Sequence, residues 1–272
     1  MWTYINMQGR KLENASIHLL FHYAVRRHIS CAPQKVLVLG VYRYQNAPLL
    51  VRMAEEAARS QWEIRLWALD RQHPQLAAYS LGLGRGLKFS LLNKLIREKD
   101  FSDFDWIVVI DDDILLKHGS LAAFLALAQR AGMGIVQPAH ALASFSNHPI
   151  TVCDPLAIVR LTTFVEIGPV FAVNREWYDK VLPFPEDIGM GWGLDIAWSD
   201  LQAYGARLGI VDWVTLRHLH PTAKEYETAQ EQKRLDESLH VRRFQSLADL
   251  QKTVAIWHVW QSSPPWPNRA AQ

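Results

Sequence analysis

The chain has 272 residues, of which 49% are hydrophobic and 21% are charged. This length and apolar content suit one large α/β domain and exclude a mainly disordered chain. The net charge is only +2, which argues against a dedicated nucleic-acid binder, because such proteins usually carry a concentrated basic face. Two cysteines are too few for a disulfide framework or a cysteine-rich zinc site.

We find no membrane or secretion signal in the sequence. No run of about 18 apolar residues occurs, and residues 1–11 lack the basic region, apolar run and cleavage site of a signal peptide. We therefore expect a cytoplasmic protein. Residues 15–29 and 241–260 mix apolar, aromatic and arginine side chains as an interfacial helix does, so peripheral membrane contact stays open beside simple packing of these helices.

Strand and helix patterns alternate through the first half of the chain. They predict strands at 36–42, 63–70, 105–114 and 134–139, and helices at 48–60, 87–99 and 119–131. Such alternation is typical of βαβ units and a largely parallel sheet. The second half shows strand-like runs over 162–173, a short helix within 174–184, a glycine-marked loop leading into a helix over 186–198, and a strand over 209–221.

Three adjacent aspartates, Asp111, Asp112 and Asp113, end the most apolar predicted strand. Because side chains alternate along an extended segment, we expect Asp111 and Asp113 to face the same way. Open α/β sheets bind ligands at the carboxyl ends of their strands. Adjacent carboxylates repel one another unless a cation or hydrogen-bond donors compensate, and Mg²⁺ or Mn²⁺ accepts such oxygen ligands. The pattern indicates a divalent-cation site, with a solvated acidic turn as the alternative.

Two histidines of the last predicted strand, His218 and His220, are candidates for a further metal ligand. They lie two residues apart, so both project from one strand face. Neutral imidazole suits Mn²⁺. For either histidine the alternative is an ordinary polar residue with no metal role.

The glycine-rich loop 189–195 carries Trp192 and Asp195. Its glycines permit a sharp turn and a close approach of the backbone to a ligand. Trp192 offers a flat face of the kind on which sugar rings pack, and Asp195 is placed to accept a hydroxyl proton as a general base. Capping of a helix over 196–205 by Asp195 is an alternative that is compatible with that role.

Arg85 and Lys88 lie where a glycine-spaced segment, GLGRG, leads into a predicted helix. A helix N-terminus can bind phosphate, and these two cations could neutralise a nucleotide diphosphate. The segment is not the dinucleotide-binding fingerprint, because its spacing differs and no strand directly precedes it. An exposed helix start is the alternative for both cations.

Together these segments resemble a glycosyltransferase of the GT-A fold, in which an acidic D-x-D motif follows a nucleotide-binding βαβ half. Here the motif is Asp111 to Asp113. The loop GMGWGLD is similar to the tryptophan–glycine–acid loop of the β-1,4-galactosyltransferases. It departs from that loop because the usual Glu-Asp pair is replaced by Leu194-Asp195, which leaves one acid for the base role.

A second resemblance covers FVEIGPVFAVNREWY, GWGLDIAW and GIVDWVTLRH. These stretches resemble a plant and bacterial domain family of unknown function that is suspected to contain glycosyltransferases. In that family a histidine falls nine residues after the glycine of the last stretch. Counting from Gly209 favours His218 over His220.

The GT-A resemblance implies an α/β fold with a mixed, mostly parallel central sheet. It implies metal-dependent transfer of a sugar from a UDP- or GDP-sugar to a glycan or other hydroxyl acceptor, with inversion. Asp111, Asp113 and His218 would hold Mn²⁺ or Mg²⁺, and Asp195 would be the catalytic base. The donor would contact Asp70, Arg85, Lys88 and Asp112, and the acceptor would contact Trp192 and Glu166. A solvent-facing strand position is the alternative for Glu166.

The same resemblance divides the chain into three parts. A helical extension over 1–34 precedes a catalytic domain over 35–245, whose nucleotide-binding half is 35–115 and whose acceptor half is 116–245. A helix and tail follow over 246–272. A place in surface-polysaccharide biosynthesis is a further expectation. The alternatives are a nucleotidyltransferase, although GVYRYQNAP after the first strand lacks its glycine-rich basic loop, and a non-catalytic sugar-binding module.

Overall fold

The structure, a computed structural model, describes residues 25–29, 33, 35–98, 100–186, 188–189, 191–220 and 228–267. Most of the helical extension predicted over 1–34 lies outside the described residues. The strands and helices predicted from residue 35 onward lie almost entirely inside them, so they can be compared element by element.

The first half of the chain forms four parallel strands of one sheet. They are β1 (Val36–Tyr42), β2 (Glu63–Ala68), β3 (Ser80–Leu83) and β4 (Trp106–Asp111), in the order β3-β2-β1-β4. Helices cover both faces, since Val36 and Val38 pack with α1 (Ala47–Arg59) and Leu37 and Leu39 pack with α2 (Lys88–Arg97). Burial on both faces explains the continuous apolar strand sequences.

The second half extends this sheet in mixed directions. Its strands are β5 (Ile114–His118), β6 (Ile135–His140), β7 (Ala157–Thr162), β8 (Val170–Asn174), β9 (Leu208–His218) and β10 (Thr253–His258). The order continues from β4 as β8-β6-β9-β7-β10, and β5 pairs with β9 off this path. β8 lies between β4 and β6 and is antiparallel to both, so it joins the two halves of the sheet. Since β6 is parallel to β9, the strands β4, β6 and β9 all point the same way.

Short helices and turns connect the strands of the second half. The helices are α3 (Leu121–Arg130), α4 (Tyr178–Val181), α5 (Leu194–Ser199), α6 (Thr228–Val241) and α7 (Leu247–Leu250). Among the described residues, no helix is both long and apolar enough to cross a membrane.

The strand predicted over 105–114 is two strands. β4 ends at Asp111, the chain turns at Asp112 and Asp113, and β5 leaves in a new direction to pair with β9. The expectation that Asp111 and Asp113 face the same way assumed an extended segment, so it does not apply to a turn.

The interfacial helix predicted over 241–260 is wrong. α6 ends at Val241, α7 is only four residues long, and β10 pairs antiparallel with β7 at an edge of the sheet. The β-prone residues of β10 complete this edge, and Trp257 is fully buried. The segment 246–272, expected as a helix and tail, therefore contributes a strand to the sheet.

A buried ion pair ties β7 to β9. Arg160 donates from Nε and Nη2 to the two carboxylate oxygens of Asp212 at 2.9 and 2.8 Å. The Asp212 side chain is fully buried. Two parallel charge-assisted hydrogen bonds offset part of the cost of removing both charges from water.

Candidate active site

A pocket lies beside the carboxyl ends of β4 and β9. Six residues predicted for a site line it, namely Lys88, Asp111, Glu166, Trp192, Asp195 and His218. They come from five separate parts of the chain, which the sheet and its connecting loops bring together. This is the edge at which open α/β sheets bind ligands.

Lys88 and Asp111 form an ion pair in this pocket. Lys88 is the first residue of α2, and Asp111 is the last residue of β4. The loop before β8 passes close by, and a Cβ on Gly168 would lie 3.3 Å from Asp111 Oδ2. A glycine at this position therefore lets the backbone approach the carboxylate closely.

Asp112 holds the neighbouring loop rather than lining the pocket. Its Oδ2 accepts a hydrogen bond from the backbone N–H of Arg43 at 2.7 Å, which connects the turn after β4 to the end of β1. Burial raises the pKa of Asp112 to about 6, against the effect of that hydrogen bond. In the structure this carboxylate stabilises the loop after β1.

Asp113 and His218 form a second ion pair, with His218 Nε2 3.1 Å from Asp113 Oδ2. Pairing of β5 with β9 creates this contact. Burial is the largest single effect and opposes the charge on both groups. The hydrogen bond between them and the attraction of nearby opposite charges together outweigh burial, so the pKa of Asp113 is lowered and that of His218 is raised. His220 lies beyond the end of β9 and is exposed.

The three predicted metal ligands do not converge in this structure. Asp113 contacts His218, whereas Asp111 contacts Lys88. Among the described residues, no three histidine, cysteine, aspartate or glutamate side chains are grouped so as to hold a metal ion. The centre formed by Asp111, Asp113 and His218 stays a prediction.

Asp195 is buried in the wall of the pocket, with 4% of its surface exposed. It is the second residue of α5, and the residue that caps the helix is Gly193, which adopts a φ of 95°. Asp195 Oδ1 accepts the backbone N–H groups of Ile196 at 2.9 Å and Gly193 at 3.2 Å. Burial raises the pKa of Asp195 to about 7, and the negative charge of Glu166 adds to the effect.

Glu166 and Trp192 lie in the pocket beside Asp195. Glu166 is largely buried, so the alternative of a solvent-facing strand position is wrong. Its carboxylate lies between two imidazoles, 3.2 Å from His140 Nε2 and 3.9 Å from His148 Nε2. Trp192 is half-buried, and it lines both this pocket and an adjoining groove against α6 and α7.

Asp70 and Arg85 lie outside the pocket. Asp70 is exposed, and its Oδ1 accepts the backbone N–H groups of Tyr44 at 2.9 Å and Arg71 at 2.8 Å. These hydrogen bonds lower the pKa of Asp70. Arg85 is also exposed, and the glycine-spaced segment before it includes the short strand β3, which the sequence patterns did not predict.

The sequence patterns also missed His140, Asn147 and His148. Asn147 and His148 line the pocket, and His140 is buried behind Glu166 at the end of β6. The loop after β6 has no regular periodicity. Its only signal was the polar run Ser146–His148 before Pro149, which by itself is typical of a turn.

Comparisons with known proteins show the fold. No protein-family model matches the chain, and neither does any curated protein sequence. The solved structure of GalNAc-T7 with UDP, GalNAc and Mn²⁺ is 10% identical, with a TM-score of 0.51 over 77% of this chain and 48% of that chain.

Two solved structures of S. aureus TarS residues 1–349 are also similar. The complex with UDP is 11% identical, with a TM-score of 0.45 over 75% of this chain and 70% of that one. The complex with UDP-GlcNAc is 9% identical, with a TM-score of 0.48 over 76% and 65%. This chain thus spans about half of the GalNAc-T7 chain and a larger share of the TarS fragment. The likeness to GalNAc-T7 confirms the expected fold, so the chain has the GT-A fold.

Proposed function

We propose that the protein is a glycosyltransferase that takes a sugar from a nucleotide-sugar donor, with UDP as the first nucleotide to test. One observation carries this proposal. In a GT-A fold, a single pocket holds a lysine–aspartate pair at the end of β4 and two further acids beside a tryptophan. The likeness to GalNAc-T7, which was solved with UDP, GalNAc and Mn²⁺, supports the choice of donor class.

Lys88 is the residue we assign to the donor diphosphate. Of the four residues predicted to bind the donor, it is the one that lines the pocket, and its ammonium group already contacts a carboxylate there. A diphosphate in this pocket would compete with Asp111 for the same cation. Electrostatic stabilisation of a departing phosphate by a fixed cation is a large contribution in phosphate chemistry.

Three side chains near the ends of β4 and β9 have the chemistry that Mn²⁺ or Mg²⁺ accepts in its ligands. Asp111, Asp113 and His218 supply carboxylate oxygens and an imidazole nitrogen, which Mn²⁺ accepts. These are the residues that would hold the cation, and when bound it would neutralise charge that develops on the departing diphosphate. Lys88 performs part of the same task without a metal.

Asp195 is the residue we assign as general base. A pKa of about 7 keeps a useful fraction ionised near neutral pH while leaving it basic enough to accept a proton. The acceptor hydroxyl gives its proton to Asp195 while the hydroxyl oxygen forms a bond to the anomeric carbon of the sugar. The bond from that carbon to the phosphate oxygen breaks, and its electron pair leaves with the nucleoside diphosphate. A single displacement of this kind inverts the anomeric configuration.

The first experiment measures the thermal stability of the full chain with UDP, GDP and other nucleoside diphosphates, with and without Mn²⁺. A ligand at 100 times its Kd should stabilise the native state by about 2.7 kcal/mol. We expect UDP to raise the Tm, and Lys88→Gln to remove most of that rise. Lys94→Gln is the matched control, because Lys94 is on the same helix but lies over the Trp67 ring outside the pocket.

The second experiment measures turnover with UDP-sugars and a panel of hydroxyl acceptors. Asp195→Asn should bind UDP normally but lose transfer, because it keeps the hydrogen-bonding oxygen and lacks the base. Asp113→Ala and His218→Ala should lose any Mn²⁺ dependence of binding. No stabilisation by any nucleotide would contradict the proposal, and sugar binding without it would favour the non-catalytic module. Release of pyrophosphate from a nucleoside triphosphate would favour the nucleotidyltransferase.

A further inference from the structure

Two histidines outside the predicted site lie within ion-pair distance of the Glu166 carboxylate, one near each oxygen. His140 is buried, with 1% of its side chain exposed, and its Nε2 lies 3.2 Å from Glu166 Oε2. His148 lines the pocket, and its Nε2 lies 3.9 Å from Glu166 Oε1. The backbone is held as well, since Glu166 N–H donates to Oε1 of the buried Gln137 at 2.6 Å. Glu166 is therefore held at its backbone by a hydrogen bond, and one imidazole lies near each of its carboxylate oxygens.

Ser144 is the hydrogen-bonding neighbour of His140 Nδ1. The backbone N–H of His218 donates to Ser144 Oγ at 2.9 Å, and Ser144 Oγ lies 2.9 Å from His140 Nδ1. The Ser144 hydroxyl can give its single proton to Phe145 O, at 3.0 Å, or to His140 Nδ1, so these hydrogen bonds alone leave the tautomer of His140 open. His140 Nε2 and Glu166 Oε2 lie 3.2 Å apart without an aligned hydrogen bond between them. In the Nε2–H tautomer the ring proton is on the nitrogen nearest Glu166. The opposite tautomer would place an Nε2 lone pair against a carboxylate oxygen in a buried site, which is repulsive. The carboxylate therefore selects the Nε2–H tautomer.

His148 is held in the same tautomer by a different partner. Gln251 Nε2 lies 2.7 Å from His148 Nδ1, so the amide donates to Nδ1 and the ring proton is on Nε2, the atom nearest Glu166. The ring also packs against Phe164, with the ring centroids 4.9 Å apart. Gln251 directly follows α7, so the far wall of the adjoining groove sets the orientation of this histidine.

We propose that His140 and His148 are positioning residues that hold the Glu166 carboxylate beside Asp195, where it accepts a hydrogen bond from the acceptor hydroxyl. The catalytic consequence rests on the proposed transferase, whereas the arrangement of the imidazoles does not. Ser144 extends the arrangement, because it bonds both to His140 and to the backbone of His218. Ser144 thus links His140, which lies behind Glu166, to the end of β9.

The arrangement is tested without any turnover by NMR of the full chain labelled with ¹⁵N-histidine. We expect His140 and His148 to show the Nε2–H tautomer, and Glu166→Ala to change the ring signals of both. Glu55→Ala, an exposed carboxylate on α1, should change neither. An Nδ1–H tautomer at His140, or rings unaffected by Glu166→Ala, would overturn the proposal. His140→Gln and His148→Gln assign the signals.

The catalytic consequence is tested with the donor and acceptor that support turnover. Replacing His148 by Ala should raise the acceptor KM or lower kcat by at least about tenfold, with the Kd for UDP changed less than about twofold. His148→Gln, which keeps an N–H donor, should recover part of the loss. His258→Gln on β10 is the control. If His148→Ala lost affinity for UDP as well as activity, His148 would have a merely structural role and the proposal would be overturned. Absence of turnover in the wild-type protein would count against the transferase, but it would not affect the NMR result.

Discussion

Replacing Asp195 by Asn should change how the stability of this protein depends on pH. Asp195 is buried, and burial raises its pKa from 3.8 to about 7. The native state therefore holds a proton at this carboxyl over a pH range in which the unfolded chain has released it. Asn keeps an oxygen that accepts the N–H groups of Gly193 and Ile196, so the substitution removes the titration and little else.

The size of the effect follows from the difference between the two pKa values. The stabilisation of the native state by protonated Asp195 is fully present below about pH 4 and is lost as the pH rises to about 7. Each pKa unit corresponds to about 1.4 kcal/mol. A difference of about three units between the native and unfolded states therefore changes the free energy of unfolding by at most roughly 4 kcal/mol. Relaxation around the charge reduces this value. Wild type should therefore lose about 1 to 4 kcal/mol relative to Asp195→Asn over this range.

Urea unfolding of both proteins at several pH values measures the difference directly. Other titrating groups occur in both proteins and cancel in the comparison. Asp179→Asn, which alters an exposed aspartate, is the control and should follow the wild type. Parallel stability curves for wild type and Asp195→Asn would refute a raised pKa. The same pKa predicts that transfer activity rises with pH up to about 7, as Asp195 loses its proton.

Three further predictions concern the framework. Arg160→Met leaves the Asp212 carboxylate buried without its partner, and should lower the free energy of unfolding by about 3 to 5 kcal/mol in urea. Gly82→Ala would place a Cβ 2.1 Å from the Trp67 ring, and should cost about 1 to 3 kcal/mol by the same assay. The Cys153 thiol is buried, which raises its pKa, so peptide mapping should find it labelled by maleimide only after unfolding.

Two of these predictions have a contradicting result, and the Gly82→Ala prediction has a comparison variant. Arg160→Met with unchanged stability would show that the ion pair contributes nothing net. A Gly84→Ala variant is the comparison for Gly82→Ala, because Gly84 has open space at its Cβ position and a φ of 127°, so only backbone strain acts there. Rapid maleimide labelling of Cys153 in the native state would contradict the third prediction, because it would show that the core around this thiol opens readily.

Much of the β-sheet could be predicted because the information is local. The run WIVVID before Asp112 is apolar because its strand is covered on both faces, and that property can be read from consecutive residues. The acids at its end predicted the edge of the sheet beside which the pocket lies. β10 was missed because its residues also fit an amphipathic helix, and only pairing with β7 decides between the two.

The residue types and their order by themselves determined the α/β class, the position of the three adjacent aspartates and the candidates Lys88, Asp195 and His218. Tertiary structure decided which side chains meet. Pairing of β5 with β9 brings Asp113 to His218, and the approach of α2 to β4 brings Lys88 to a neighbouring carboxylate. The fold also brings His140, at the end of β6, within 3.2 Å of Glu166, in the loop before β8. Contacts between distant segments depend on chain pairing and packing, which no local pattern specifies.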